Sequence, residues 1–128
     1  MKKDITGRKD IELLINSFYK IVKEDPVIDY FFNDVVKVNW EKHLPTMYDF
    51  WENILFYTGV YNGNPMAIHK NLHHLSPLKK EHFEQWLMIF SNTANSLFSG
   101  PNTDLIIQRA QSIATVMELK ILHPANID

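Results

Sequence analysis

The chain has 128 residues, 45% of them apolar, with a net charge of −2 when histidine is neutral; this suits one globular domain that folds without a disulfide or structural metal. Cysteine is absent, which excludes disulfides, thiol catalysis and thiolate-held metals. There is no block of like charge, no apolar run long enough to span a bilayer and no recognisable signal peptide, so neither a nucleic-acid surface nor a membrane segment is expected and the cytoplasm is the expected location.

Helical periodicity dominates the chain. Ile11, Leu14, Ile15, Phe18, Ile21 and Val22 share one face and predict a first helix over about residues 9–24. Asp25-Pro26 ends it, because the residue before a proline avoids the α region, and Tyr30, Phe31 and Phe32 fall in a short turn after it. Trp40, His43, Leu44, Met47, Phe50, Trp51, Ile54 and Leu55 predict a second helix over about residues 40–57. Pro45 interrupts it, either as a kink or as the first residue of the regular part. Asn64-Pro65 is an N-cap followed by proline at the first helical position, opening a helix with Met66, His69, Leu72 and His73. Ser76-Pro77 repeats the signal for a helix reaching about residue 98, with Phe83, Trp86, Leu87, Phe90, Ala94 and Leu97 inward. After Ser99-Gly100-Pro101 a last helix, over about residues 103–122, buries Ile106, Ala110, Ile113, Ala114 and Met117, and Pro124 closes the fold. No segment alternates as a strand does. The expected fold is all-α, one domain over residues 1–128.

Eight Phe, five Tyr and three Trp accompany six His, and His69, His73, His74 and His82 crowd one stretch. Three readings of that stretch stay open. One neutral imidazole could hold haem iron axially. His69 and His73, one helical turn apart, could bind a non-haem metal such as zinc or nickel. Or these histidines are solvated helix residues in a haem-free interaction module. Glu81 and Glu84 are the only nearby carboxylates, so a closed tetrahedral zinc site has little support.

The order of residues along the chain is more informative than any one of them. Phe18-Tyr19, Phe31-Phe32-Asn33, Trp40-x-x-His43 and Phe50-Trp51 come first. Tyr61-x-Gly63-x-Pro65-x-x-x-His69, His82-Phe83-x-x-Trp86-Leu87-x-x-Phe90 and Gln108-Arg109-Ala110 follow. Over residues 8–120 this set resembles the truncated haemoglobins, group III most closely.

That resemblance implies a shortened globin with helices packed two over two around haem b. Tyr19 matches the distal tyrosine, His43 the distal histidine and Trp86 the distal tryptophan. Phe32 matches the phenylalanine on the haem face, with Met47, Phe50 and the aromatic Trp51 on the following helix. Phe83, Phe90 and Ile113 complete the lining. His69 matches the proximal ligand; an insertion in residues 70–76 accounts for the long spacing to Trp86, and an earlier insertion would make His73 the ligand. Pro45 departs from the family pattern and bears on where His43 points. The resemblance further implies O2, NO, CO or a similar small ligand and a reductase partner. It leaves open a dioxygenase-like or peroxidase-like activity.

Overall fold

The computed structural model describes residues 2–59, 61 and 63–123. Its elements are α1 (Arg8–Val22), a short π-helical segment (Phe31–Val35), α2 (Trp40–Phe56), α3 (Pro65–Leu75), α4 (Lys80–Leu97) and α5 (Pro101–Leu122). There is no strand among the described residues. α1 packs on α2 and α4, and α5 packs on α4 and α2. Two helix pairs are thus stacked, the two-over-two arrangement expected from the sequence. α3 lies beside them, touching α5 and the π-helical segment.

α1 buries Ile11, Leu14, Ile15, Phe18, Tyr19 and Val22 along one stripe. Ile21, expected on that stripe, is 47% exposed; at about 100° per residue it falls at the rim of the stripe centred on Ile11, Phe18 and Val22. Arg8 ties α1 to α2 by reaching Asp49 at 2.7 Å and Glu52 at 2.9 Å. Asp25 accepts the Val27 N–H at 2.9 Å and the Gln85 side-chain amide at 2.7 Å, so the turn after α1 is fastened to α4.

The turn with the Phe pair is a π-helical segment in which the Val36 N–H reaches the Phe31 carbonyl at 3.1 Å. Lys37 follows with φ of 54°, a left-handed residue that redirects the chain into α2. α2 continues through Pro45 as one helix. The proline lies in the second turn, where only the Glu41 carbonyl loses its intrahelical partner. Asn64 caps α3 by accepting the Ala67 N–H at 3.1 Å, and Pro65 occupies the first turn as expected.

The fourth helix does not begin at Ser76-Pro77. Ser76 ends α3, and α4 starts at Lys80. Two histidines settle this boundary. His73 Nδ1 accepts the Leu78 N–H and His82 Nδ1 accepts the Lys79 N–H, each at 2.9 Å. Gly100, at the N-cap of α5, has no side chain to satisfy that helix's first amides. Asp4 does so from the other end of the chain, accepting from Asn102 N–H at 2.9 Å and Thr103 N–H at 2.8 Å. Pro124 lies outside the described residues.

Candidate functional site

α1, α2, α3, α4 and α5 together enclose a cleft of about 610 Å³. Its size is within the range of small-molecule and cofactor sites. Tyr19 from α1, Phe32 from the π-helical segment, and His43, Met47 and Phe50 from α2 line it. His69 from α3, Phe83 and Trp86 from α4, and Ile113 from α5 also line it. These residues, scattered from position 19 to position 113, are brought to one place by the fold.

Phe90 does not line the cleft. It is fully buried one turn beyond Trp86, stacked on it at 5.5 Å with an interplanar angle of 17°. Phe18 and Trp51 close it in at 5.4 and 4.6 Å, so Phe90 backs the wall that Trp86 presents. His73 is also absent from the lining.

The Tyr19 hydroxyl and His43 Nε2 are 3.2 Å apart. Phe32 meets the Tyr19 ring edge-on at 5.9 Å, and Trp40 does so at 5.2 Å. Burial pushes the Tyr19 phenol well above its ordinary range, so it remains an O–H donor. Burial, and after it the charge of His69, holds His43 below the ordinary imidazole range. Pro45 leaves His43 in the cleft and in reach of Tyr19.

His69 is set differently from the other histidines. Its Nδ1 lies 2.7 Å from the Pro65 carbonyl. A carbonyl only accepts, so Nδ1 carries the proton and donates it. Nε2 is left with a free lone pair. Burial lowers the affinity of His69 for a second proton, and the Pro65 carbonyl opposes that only in part. His73 and His82 have the reverse tautomer, because their Nδ1 atoms accept backbone N–H groups; their Nε2 atoms carry the proton.

α3 buries none of its residues. Ile68 and Leu75 are 62% and 70% exposed and line the cleft with Leu72. This helix therefore offers an apolar face and one imidazole lone pair to the cleft. The aromatic rings of Phe32, Phe50, Phe83 and Trp86 line it too, and Lys42 and Thr46 supply polar groups. The donor set fits haem: one neutral imidazole, flat apolar walls and a cation for a carboxylate. It fits a histidine-bound metal ion poorly, since no group of three His, Asp or Glu side chains among the described residues could hold one.

Sequence reasoning missed part of the wall. Ile28, Leu78, His82, Ala114 and Met117 line the cleft as well. His82 carried a usable signal, because it stands where a capping residue reaches back to the start of a helix.

A family model described as bacterial-like globin matches residues 3–119. The group 3 truncated hemoglobin ctb of Campylobacter jejuni subsp. jejuni serotype O:2 is 31% identical over 118 residues, covering 90% of this chain and 91% of that protein. The crystal structure of group III truncated hemoglobin from Campylobacter jejuni matches with a TM-score of 0.82 at 30% identity. That match covers 94% of this chain and 95% of the other. No described helix is long and apolar enough to cross a membrane.

Proposed function

The chain belongs to the bacterial-like globin family, in its group III truncated haemoglobin branch, and is a haem-binding globin; from that premise we propose that residues 1–128 form one domain that binds haem b through His69 and a diatomic ligand beside Tyr19, His43 and Trp86. The observation that carries this reading is the His69–Pro65 hydrogen bond of 2.7 Å. It fixes the one cleft histidine whose Nε2 lone pair is committed to nothing else, and so favours His69 over His73.

Haem, when bound, supplies an open coordination position and shifts electron density onto the ligand held there. The chain supplies the rest. The Pro65 carbonyl holds the His69 ring in one tautomer and orientation. Phe32, Met47, Phe50 and Phe83 exclude water. The Tyr19 O–H and the Trp86 indole N–H are donors for a ligand that gains negative charge. Donors of this strength retain O2, which suits oxygen or nitric oxide chemistry better than bulk oxygen transport. The same donors would polarise a peroxide. A reductase as electron source and a cytoplasmic setting belong to the same proposal, the first on family resemblance and the second on the sequence alone.

Absorption spectra of purified protein in ferric, ferrous and carbonmonoxy forms, with metal analysis, test it. The expected result is a strong Soret band with stoichiometric iron. Zinc or nickel without a Soret band would indicate a non-haem metal site on His69 and His73. Neither signal would leave a haem-free helical module.

A further inference from the structure

We propose that His73 and His82 form a pH-sensitive latch across the connection between α3 and α4, holding α3 and His69 against the cleft while both imidazoles are neutral and releasing them on protonation. The observations are two hydrogen bonds of one kind on adjacent amides. His73, near the end of α3, accepts the Leu78 N–H at 2.9 Å. His82, in the first turn of α4, accepts the Lys79 N–H at 2.9 Å. The His82 bond spans the same positions as a capping box, where a Glu or Gln usually reaches back to the N-cap amide. Histidine here makes the cap dependent on protonation.

The chemistry is specific. A neutral imidazole has one ring nitrogen that accepts, and an imidazolium has none. Protonation at Nδ1 turns each acceptor into a donor aimed at another N–H. Both adjacent amides then lose their partners, and unpaired part-buried amides are costly.

His82 has an environment that sharpens this. It is buried, with its ring edge-on to Phe31 at 4.8 Å and to Tyr30 at 6.2 Å. Burial holds it below the ordinary imidazole range, Glu81 pulls it up, and Lys79 pushes it down again. The other titratable groups around it are Tyr30 and, across the cleft, Tyr19, Lys42, His43, Tyr61 and His69. His73 has His74 beside it, with ring centroids 6.5 Å apart. The sign follows from linkage. For His82, neutrality in the fold contributes stability above the unfolded value of about 6.5, and that contribution is lost as pH falls through the lower folded value.

The latch acts on the least buried helix of the fold. α3 has no buried residue and, among the described elements, packs on α5 and the π-helical segment alone. Its two ends are fixed by the Asn64 cap and by this connection. Loosening the connection therefore frees the helix that carries His69. The consequence for haem rests on the function proposed above; the consequence for the Leu78 and Lys79 amides does not.

The test has two arms on the full chain. In the first, amide exchange protection of Leu78 and Lys79 is followed between pH 7.5 and 5.0, with amides in the middle of α5 as internal reference. The expected result is roughly a tenfold or greater loss of protection at the two amides relative to α5, a 1.4 kcal/mol equivalent. Unchanged relative protection overturns the latch. In the second, haem transfer to an apoglobin acceptor is timed for the parent and for His73→Asn, His82→Asn and the double variant. Asparagine Oδ1 stands close to where Nδ1 stands and does not titrate. The expected result is that the ratio of the rate at pH 5.0 to that at pH 7.5 is large in the parent and close to one in the double variant, whatever the rate of each variant at pH 7.5. If parent and double variant accelerate equally, acid acts elsewhere and the latch is overturned. If the chain takes up no haem, the proposed function fails while the exchange arm still decides the latch.

Discussion

Tyr19 on α1 and His43 on α2 meet through a single hydrogen bond, 3.2 Å from hydroxyl to Nε2. Both are partly committed to each other before any ligand arrives. Tyr19 and His43 both line the cleft, as does Trp86 on α4, whose indole N–H is the second proposed donor.

The first prediction follows from those two donors. Tyr19→Phe and Trp86→Phe each speed O2 release from the ferrous protein, with much less effect on CO release, since CO carries little charge. A hydrogen bond to a charged acceptor contributes about 1.5–3 kcal/mol, so each substitution speeds release by roughly ten- to a hundredfold. The double variant shows less than the product of the two, because donors sharing one acceptor are coupled. Stopped-flow O2 release checks this. Release at the parent rate in all three variants would reduce both residues to packing.

His43 gives a second prediction. It is half-buried beside exposed Lys42 and Thr46 on the same helix, and its proposed role is to gate entry, with Tyr19 as the main donor to the ligand. His43→Leu changes the rate of ligand uptake more than the rate of release. Flash photolysis of the CO form together with stopped-flow O2 release separates the two. A large rise in O2 release with unchanged uptake would contradict it.

His69→Ala abolishes normal haem attachment and leaves a helical protein by circular dichroism. His73→Ala changes the visible spectrum little at neutral pH, because its ring lies outside the lining and its Nδ1 is taken by the Leu78 amide. Spectra of the two variants after reconstitution decide between them. The reverse pattern would make His73 the ligand.

Asp4 gives a prediction about stability. Burial pushes its carboxyl up, but hydrogen bonds from Asn102 and Thr103 outweigh that and hold it below the ordinary carboxylate range. Asp4→Ala leaves the first amides of α5 without their cap and costs about 1–2 kcal/mol in urea unfolding at pH 7. The difference between parent and variant persists above the ordinary Asp value of about 3.9 and shrinks as pH falls below it. Gly100→Ala acts on the same joint. Its Cβ would lie 2.5 Å from Asp4 Cγ, at a φ of 149° that side chains avoid. A midpoint equal to the parent's in both variants would contradict this account.

The helices were legible because their apolar periodicity is strong, and Asn64-Pro65 marks the start of α3 where it occurs. Ser76-Pro77 misled because the same residues that open a helix also close one; the two histidines that set the boundary act through space, not through local propensity. The candidate site was read from ordered aromatics and histidines, and Tyr19, Phe32, His43, Met47, Phe50, His69, Phe83 and Trp86 all line one cleft. Phe90 was misplaced because spacing alone puts it on the face of Trp86 without saying which of the two lies deeper. The Asp4 cap joins residues nearly a hundred positions apart, and no local pattern announces such a contact.

α3 buries none of its side chains, yet it carries His69. On the proposed function, haem in the cleft adds to the anchoring that the Asn64 cap and the connection to α4 give this helix, by the same linkage that lets any ligand stabilise the state it binds. Cofactor capture and completion of the fold are then one event. On that reading, limited proteolysis of the haem-free protein is expected to cut first in α3. Haem supply is then expected to set the lifetime of the polypeptide as well as its capacity to take up a ligand.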